Sequence, residues 1–455
     1  MSINRRKFIG ATMLAGAGSL LTKAKSENSV MPMANGKLGL GILGVGARGQ
    51  SHVEQILYRT DCEIVAINDI DQHSIDACKQ LFTKAGKAMP TVYLKGERGY
   101  LELLKNPAVD AILIASPWEW HSEMCINGMK AGKYVATEVC GAFSLDECWE
   151  LVNTQESTGK HLFFLENVCY RRDIMAVLNM VRQNLFGELL HFEGGYQHDL
   201  REIKFNNGKQ ISGSGVEFNE KGYSEARWRT RHSVYRNGDL YPTHGVGPIA
   251  MMNNINRGNR FEYLTSMATK GKGLHDYIVN HPQGGPGHPN AKVEFKLGDV
   301  VTTMIKCSNG ETVTLFHDTN LPRPYSLGFR VQGTKGIWMD VNQSLLIEGK
   351  TKAHTWEKAD DLLKEYDHPL WKKYEKSAEN AGHGGMDWFV VNSFIEGAKA
   401  NKPAAIDVYD AATWLAITAL SEQSIMSGSQ PVTFPDFTRG RWMRTKNEFV
   451  AGDIY

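Results

Sequence analysis

A glycine-rich turn between an apolar strand and a helix constrains the fold of this 455-residue chain more than any other feature. The segment LGLGILGVGARG predicts a buried strand that runs into Gly44-x-Gly46-x-x-Gly49, and a helix follows to about residue 58. A second strand, CEIVAINDID, places Asp69 twenty residues after Gly49. Three glycines between a strand and a helix, with an acidic residue at the next strand end, are typical of a dinucleotide-binding unit.

Strands and helices alternate through the remainder of the first 170 residues. Further strands are predicted in DAILIAS, KYVATE and HLFFLEN, and helices are predicted over about 73–83, 121–131 and 145–158. This alternation favours a doubly wound parallel sheet. We therefore predict an α/β protein with an N-terminal Rossmann domain over residues 37–170.

The second part of the chain, residues 171–455, has a different pattern. After a helix to about residue 184, strands are predicted in ELLHFEGGYQH, EYLTSMATK, DVVTTMIKCSNGETVTLFHDT and SLGFRVQGTKGIWMDV. They favour a C-terminal α+β domain with an open, largely antiparallel sheet that binds the substrate. Two late helices, over about 385–398 and 411–427, are expected to pack back on the first domain. The stretches ISGSGVEFNEKGYS and NHPQGGPGHPN are predicted to be long loops.

The glycine turn predicts how a cofactor is held. Gly44, Gly46 and Gly49 let the backbone approach a pyrophosphate, while the helix that begins with Ala47 and Arg48 points N–H groups toward it. For the Arg48 side chain two roles stay open, one facing the pyrophosphate and one in solvent.

Asp69 predicts which nicotinamide cofactor is bound. Its carboxylate would accept hydrogen bonds from the adenosine ribose and repel a 2′-phosphate, which favours NAD over NADP. A helix N-cap is the alternative role for an aspartate here, but Asp71 fits that position better.

Three loops follow strands at the same edge of the predicted sheet, where open α/β sheets bind ligands. They are SPWEWH at 116–121, TEVCGA at 137–142 and ENVCY at 166–170. We expect cofactor contacts from Trp118, Glu119, Trp120, His121, Glu138, Val139 and Asn167. Asn167 would bond the ribose or the amide of the cofactor, and His121 has an alternative role beside a helix N-cap.

The first 30 residues have the layout of a removable export signal. Arg5 and Arg6 precede a short run rich in glycine and alanine that ends near Leu21. This resembles a bacterial twin-arginine (Tat) signal, and a frayed basic N-terminus is the alternative. Since Tat machinery exports folded proteins, we expect a periplasmic protein that leaves the cytoplasm with its cofactor bound. Such a cofactor must be held tightly and suits a reaction that restores it in each turnover.

Charge and cysteine content exclude several kinds of partner. The net charge of +1 gives no bias toward nucleic acid, and no apolar run past residue 25 approaches the length of a membrane span. The seven cysteines contain no C-x-x-C pair. We therefore predict no metal site, no disulfide framework and no membrane span in the mature chain.

Several motifs together resemble the Gfo/Idh/MocA oxidoreductases. A Glu-Lys-Pro tripeptide borders the nicotinamide in that family, whereas this chain has Glu138-Val139-Cys140. Loss of the lysine, which assists an ordinary alcohol dehydrogenase, argues against that activity. The WEWH, ENVCY and YPTHG motifs and the Tat-like start resemble one branch, the NAD-dependent glycosidases of glycoside hydrolase family 109, whose known members are α-N-acetylgalactosaminidases. The resemblance covers about residues 37–455.

The resemblance implies a redox-neutral route through oxidation, elimination, addition and reduction of the sugar. Tyr196 is then the candidate base for the C2 proton, with a half-buried strand tyrosine as its alternative role. His244 is the candidate general acid/base, or else a residue at a helix start. Glu166 would orient His244 or the sugar, or carry only a strand-end charge. His198 is a weaker candidate on the face of Tyr196.

Sugar contacts are expected from a further group of residues in the second domain. They are Arg229, Tyr241, Pro242, Thr243 and Tyr325, together with Tyr196 and His244. Whether Arg229 or Arg231 contacts the sugar stays open, as do the anomer and the C4 configuration of the substrate. A glycan or glycoside is the expected substrate, and a homo-oligomer is a further expectation.

Two other functions remain as alternatives. The first is an exported sugar oxidoreductase with a retained cofactor, like the glucose–fructose oxidoreductases, and the altered tripeptide argues against it. The second is a sugar-binding protein without catalysis, against which the tyrosine, histidine and glutamate set argues.

Overall fold

The computed structural model describes residues 36–379, 381–453 and 455. The export signal predicted over residues 1–30 lies outside the described residues. Among the helices of the described part, none combines the length and apolar character that a membrane span requires.

The N-terminal part forms a parallel sheet flanked by helices, as the alternating pattern predicts. Its strands are β1 Leu38–Leu43, β2 Cys62–Asn68, β3 Thr91–Tyr93, β4 Ala111–Ile114, β5 Tyr134–Thr137 and β6 Leu162–Phe164. Its helices are α1 Ala47–Leu57, α2 Gln72–Lys84, α3 Tyr100–Leu104, α4 His121–Lys130 and α5 Leu145–Thr158. The strand order is β3-β2-β1-β4-β5-β6, with every pair parallel. The order reverses between β1 and β4, which is where ligands bind in such sheets.

Strand burial and helix capping in the structure agree with the sequence signals for these elements. All six residues of β1 are buried, which is typical of a strand covered by helices on both faces. The side chain of Asp71 accepts a hydrogen bond from the backbone N–H of His73 and caps α2. The cap assigned to Asp71 is confirmed, and Asp69 is therefore left for another role.

The C-terminal part is built on a nine-stranded sheet within the described residues. Its strands are β7 Leu189–Gln197, β8 Phe261–Ala268, β9 Val300–Cys307, β10 Thr312–Asp318, β11 Arg330–Gly333, β12 Gly336–Met339, β13 Ser344–Ile347, β14 Glu357–Lys358 and β15 Val432–Thr433. The order is β14-β13-β12-β11-β7-β10-β9-β8-β15. Only β7 and β10 pair in parallel in this described sheet, so the largely antiparallel sheet is confirmed. The stretch SLGFRVQGTKGIWMDV supplies two strands, β11 and β12, rather than one.

Helices join this sheet to the first one. They are α6 Arg172–Arg182, α7 Arg201–Lys204, α8 Arg229–Tyr235, α9 Thr243–Met252, α10 Gly273–Asn280, α11 Asp360–Glu365, α12 Pro369–Ala378, α13 Met386–Ala400 and α14 Val408–Met426. The late helices α13 and α14 pack on the first domain as expected. The ring of Phe394 lies 6.0 Å from that of Tyr134 in β5, and the backbone N–H of Phe164 in β6 donates to the carbonyl of Ile406 before α14.

The two long polar loops enclose a core of their own. This second cluster consists of Phe205, Val216, Phe218, Leu274, Ile278, Ala291 and Phe295. It fixes the segment that leads into α8, and α8 carries Arg229. The loops therefore position part of the candidate site.

Candidate active site

The glycine turn has the geometry of a phosphate cradle. Gly44 has a φ of +85°, and a Cβ at Gly49 would lie 2.0 Å from the carbonyl oxygen of Gly44. A side chain is therefore excluded at both positions by the protein itself. At Gly46, by contrast, a Cβ would meet no protein atom within 4 Å, so the side of the turn that a pyrophosphate approaches is open.

Asp69 lies beside this turn at the end of β2. Its carboxylate accepts the backbone N–H of Val45 at 2.7 Å and that of Asp71 at 2.9 Å. Burial raises the pKa of Asp69, and these backbone hydrogen bonds act in the opposite direction. The carboxylate is fixed next to the turn where an adenosine ribose would lie, so the residues present fit NAD.

Arg48 is held by two carboxylates instead of facing solvent. Its Nε donates to Glu138 Oε1 at 2.6 Å, and its Nη1 donates to Asp387 Oδ2 at 2.7 Å. His52 Nε2 lies 2.6 Å from the same oxygen of Glu138. The amide of Asn167, predicted to bond the cofactor, donates to Asp387 Oδ1 at 2.6 Å. We call these five residues the charge network.

Opposite charges control the ionisation of the charge network. Burial by itself would raise the pKa of Glu138, but the charge of Arg48 and the hydrogen bond from His52 outweigh it and lower the pKa. Asp387 behaves in the same way, with His383 and Arg48 lowering its pKa against the effect of burial. Both carboxylates therefore stay ionised and ready to hold Arg48.

Sequence reasoning missed His52, Asp387 and His383. A signal for His52 was present, because it lies four residues after Arg48 and so shares one face of α1. Asp387 and His383 had no such signal, since Asp387 is 339 residues from Arg48 along the chain.

The side chains of the WEWH loop mostly contact other residues of the protein. Trp118 is buried with its ring 5.0 Å from that of Trp228, and Trp120 packs against the main core. The two ring nitrogens of His121 lie 2.7 Å from the carbonyl oxygen of Ser116 and 3.2 Å from that of Cys140. His121 is the first residue of α4 and lies next to the N-cap residue Trp120. Glu119 bonds Arg231 of the second domain.

Tyr196 is the centre of an aromatic group at the end of β7. Its ring stacks on that of Tyr241 with the centroids 4.2 Å apart, and its hydroxyl lies 3.2 Å from Nδ1 of His198. The ring of Tyr325 lies 6.4 Å away, edge-on. Tyr196 is 8% exposed, so its hydroxyl is largely shielded from bulk water.

His244 stands next to Tyr196 because glycines let helix α9 approach β7. A Cβ at Gly245 would lie 2.4 Å from the backbone nitrogen of Gly195, so the two backbones are in direct contact. A Cβ at Gly247 would lie 2.9 Å from Cγ of Glu166. These small residues in GGY and HGVG allow two domains to bring their site residues together.

Glu166 holds the His244 ring from the first domain. Its Oε1 lies 2.7 Å from His244 Nδ1 and also accepts the backbone N–H of Val168. The carboxylate is fully buried. The opposite ring nitrogen, Nε2, lies 3.5 Å from the hydroxyl of Tyr241, at the outer limit for a hydrogen bond. The arrangement leaves Nε2 able to exchange a proton with a substrate.

The structure separates the two arginines that the sequence left open. Arg229 is buried over the rings of Trp118 and Tyr241, with its guanidinium carbon 4.8 and 5.4 Å from their centroids. Burial raises the pKa of Tyr196, and the nearby charge of Arg229 opposes that rise. Arg231 is partly exposed and bonds Glu119, away from this aromatic group.

Among the remaining predicted sugar contacts, some residues are exposed at the site and others are buried. Tyr325 is half exposed and Tyr241 is partly exposed at the site. Pro242 and Thr243 are buried at the start of α9, where they set the direction of His244. Thr243 is 0% exposed, so the structure does not place it as a direct sugar contact.

All seven cysteines are free and buried. In the described ranges, no group of three or more His, Cys, Asp or Glu side chains is arranged to hold a metal ion.

Comparison with known families divides the chain at the same place as the fold. Residues 38–165 match the sequence model described as "Oxidoreductase family, NAD-binding Rossmann fold". Residues 170–444 match the model described as "Glycosyl hydrolase 109, C-terminal domain".

Curated relatives extend over nearly the whole chain. An alpha-N-acetylgalactosaminidase of Tannerella forsythia is 51% identical over 469 residues, covering 99% of this chain and 100% of the relative. A glycosyl hydrolase family 109 protein of Stenotrophomonas maltophilia is 51% identical over 459 residues and covers 100% of both chains.

Solved structures share the fold at low identity. Levoglucosan dehydrogenase in complex with NADH and levoglucosan has a TM-score of 0.62 and 16% identity, covering 88% of this chain and 100% of its own. The myo-inositol 2-dehydrogenase of Lactobacillus plantarum has a TM-score of 0.60 and 15% identity over the same shares. This likeness is one of architecture.

Proposed function

Because this chain belongs to glycosyl hydrolase family 109, a family of glycosidases with an NAD-binding domain, we propose that it releases terminal N-acetylgalactosamine from α-linked glycans. The route proposed is the redox-neutral one, in which the sugar is oxidised at C3, loses its leaving group, takes up water and is reduced again. The observation that carries the proposal is the cluster of Tyr196, His244 and Glu166 at the carboxyl edge of the Rossmann sheet.

Bound NAD would supply oxidation of the sugar at C3 and its reversal at the end of the cycle. Gly44, Gly46 and Gly49 would hold its pyrophosphate, and Asp69 would hold the adenosine ribose. The chain's own acids and bases perform the proton transfers.

His244 is positioned to take and return the proton of the C3 hydroxyl. Its Nδ1 hydrogen bond to Glu166 fixes the tautomer and leaves Nε2 to accept a proton. The buried carboxylate also stabilises the imidazolium that forms. Glu166 is a positioning residue because it acts through His244.

Tyr196 is positioned for the C2 proton. A C3 ketone makes that proton acidic, and its removal expels the oxygen at C1 without a pair of opposed carboxylates. Burial raises the pKa of Tyr196, and the positive charge of Arg229 opposes that rise in favour of the phenolate that a tyrosine base requires. His198 Nδ1, within 3.2 Å, can accept the hydroxyl proton.

The test is turnover of an aryl α-N-acetylgalactosaminide in heavy water with no added cofactor. We expect aglycone release without net accumulation of NADH, together with deuterium at C2 of the released sugar. Released sugar that carries no deuterium at full activity would exclude the elimination route. Net NADH production would instead support the sugar oxidoreductase.

We also propose that the protein retains its NAD, and the variant Gly46→Val tests this. Gly46→Val adds a side chain where no protein atom lies within 4 Å, so the fold should tolerate it while the pyrophosphate cannot bind. We expect the purified parent protein to release NAD on denaturation and Gly46→Val to release none. A folded parent protein without nicotinamide would contradict tight binding.

Export by the Tat route, with the cofactor already bound, completes the proposal. Its support is the Arg5-Arg6 segment of the sequence. Replacing both arginines with lysine should leave the protein in the cytoplasm of its bacterial host, as judged by cell fractionation. Unchanged delivery to the periplasm would contradict the Tat route.

A further inference from the structure

A large cleft opens beside the candidate active site. Its volume is about 770 Å³, within the ~300–1,000 Å³ typical of small-molecule sites. Three segments line it: the start of α6 with Arg171 and Asp173, the loop 323–327 before β11, and the region from Trp338 to Leu363 around α11. We call it the lateral cleft.

Tyr325 connects the lateral cleft to the site. Its ring lies 4.9 Å from that of His198 and 6.4 Å from that of Tyr196, and it also lines the cleft. Gln197, the residue after Tyr196 in β7, lines the cleft too and accepts a hydrogen bond from Arg323 at 2.9 Å. A ligand that passes Tyr325 therefore extends from the reacting sugar into the cleft.

Two buried polar atoms of the cleft wall have no hydrogen-bond partner within the part of the chain that the structure describes. They are Nε1 of Trp338, a residue 1% exposed, and Oδ1 of Asp340. The second carboxylate oxygen of Asp340 is bound by Arg171 at 3.1 Å. The donor belongs to Trp338 in β12 and the acceptor to Asp340, the first residue after β12. One donor and one acceptor suit the hydroxyl groups of a sugar.

The charges of the cleft favour a neutral ligand. Its lining holds two cations, Arg171 and Arg323, against three carboxylates, Asp173, Asp340 and Asp360. Both arginines are already paired with carboxylates, Arg171 with Asp173 at 2.6 Å and Arg323 with Asp318 at 2.6 Å. A sulfated or sialylated glycan would meet net negative charge there.

We propose that the lateral cleft binds the sugar residues on the leaving-group side of the scissile bond, and that it selects neutral oligosaccharides. This inference rests on the proposed function, because it names the part of the substrate that the glycosidase leaves behind. Tyr325 divides the terminal sugar from the sugars of the leaving group.

The test compares two substrates in matched variants. One is an aryl α-N-acetylgalactosaminide, and the other is a neutral trisaccharide that carries the same terminal sugar. Val341→Trp narrows the cleft from an exposed rim position, and Lys335→Trp places the same side chain on an exposed turn outside it. We expect Val341→Trp to lower the ratio of kcat/KM for trisaccharide over aryl substrate about tenfold, and Lys335→Trp to preserve it.

A second pair of measurements tests the chemistry of the wall. Trp338→Phe keeps a ring but removes Nε1–H, and it should lower the same ratio. Adding a sulfate to the trisaccharide should reduce its kcat/KM in the parent protein. A ratio that stays constant in both variants while the aryl substrate is turned over would overturn the cleft inference alone. Absence of turnover of both substrates by the NAD-loaded parent protein would overturn the proposed function, and this inference with it.

Discussion

The charge network around Glu138 and the aromatic group around Tyr196 both lie at the carboxyl edge of the Rossmann sheet, but they use polar atoms in opposite ways. In the charge network, the three nitrogens of Arg48 all bond carboxylate oxygens, of Glu138 or Asp387. Around Tyr196, reactive atoms are held in place yet left accessible, as with Nε2 of His244. The first region suits retention of a bound group, and the second suits proton transfer.

The difference explains how the loop around Glu138 stays ordered although this chain lacks the lysine of the Glu-Lys-Pro tripeptide. The Glu-Val-Cys tripeptide has no cation of its own, and Glu138 takes its positive partner from Arg48 in the glycine turn. The glutamate therefore connects the TEVCGA loop to the glycine turn. In the proposed function, proton transfer is carried out by Tyr196 and His244 of the second domain, with Glu166 positioning His244. Variants in the charge network should therefore reduce retention of NAD, and variants around Tyr196 should reduce catalysis.

The largest effect is expected for Tyr196→Phe. The ring and its stacking on Tyr241 remain, but the hydroxyl that we propose exchanges the C2 proton is lost. We expect kcat to fall by about 10²–10⁴, the range for removal of a positioned acid/base, and deuterium exchange at C2 to fall in parallel. Bound NAD should be unchanged. Tyr235→Phe, at a residue 70% exposed, is the matched control. Full exchange in the Tyr196 variant would mean that another group is the base.

Asp387→Asn should damage the other region. Removing one partner of a buried ion pair typically costs about 3–5 kcal/mol, and Arg48 is partly exposed, so we expect a loss near 3 kcal/mol in the free energy of unfolding. Less NAD should copurify, while kcat per bound NAD stays within a few-fold of the parent. Glu396→Gln, on the exposed side of the same helix, is the control. A variant that keeps NAD but loses turnover would break the distinction between the two regions.

The strand–turn–helix units could be predicted from sequence because their signals are local. Gly44, Gly49 and the Asp71 cap all act on neighbours within a few residues or one strand away. The same holds for the fold class, since alternating strands and helices favour a parallel sheet. The sequence pattern does not mark the turn of hairpin β11–β12, Gly333 to Gly336, because the strand before it also contains the polar residues Arg330 and Gln332.

The site itself could be predicted only in part. The family resemblance predicts Tyr196 and His244 as site residues, and the structure places their ring centroids 5.5 Å apart. Arg229 could not be told from Arg231, because the side on which a helical residue lies depends on tertiary packing. Asp387 could not be predicted as a site residue, because nothing near it in the sequence indicates that it pairs with Arg48 of the glycine turn.

Glu166→Gln should have a smaller effect than either change above. Loss of an outer hydrogen-bond partner behind a functional histidine typically costs about 10–100-fold, and we expect a fall of that size in kcat with KM and bound NAD nearly constant. The acid limb of the kcat profile should move to lower pH, because a neutral amide no longer stabilises the imidazolium of His244. An unshifted profile would assign Glu166 a purely structural role.

The smallest effect concerns Asp239, a buried carboxylate that contrasts with Glu138. Arg48 and His52 keep Glu138 ionised, whereas burial raises the pKa of Asp239 to about 7, opposed only by a hydrogen bond from the backbone N–H of Tyr241. A folded pKa above the unfolded value of about 3.8 means that stability is fully present below pH 4 and falls as the pH rises through 7. At 1.36 kcal/mol for each pKa unit, the decline in the free energy of unfolding between pH 5 and 8 is on the order of 2 kcal/mol.

Asp239→Asn should remove this pH dependence of the free energy of unfolding, as measured by denaturant unfolding at each pH. The exposed control Asp361→Asn should keep it. Equal slopes in parent and Asp239→Asn would show that Asp239 is ionised in the folded protein, and the contrast with Glu138 would then fail.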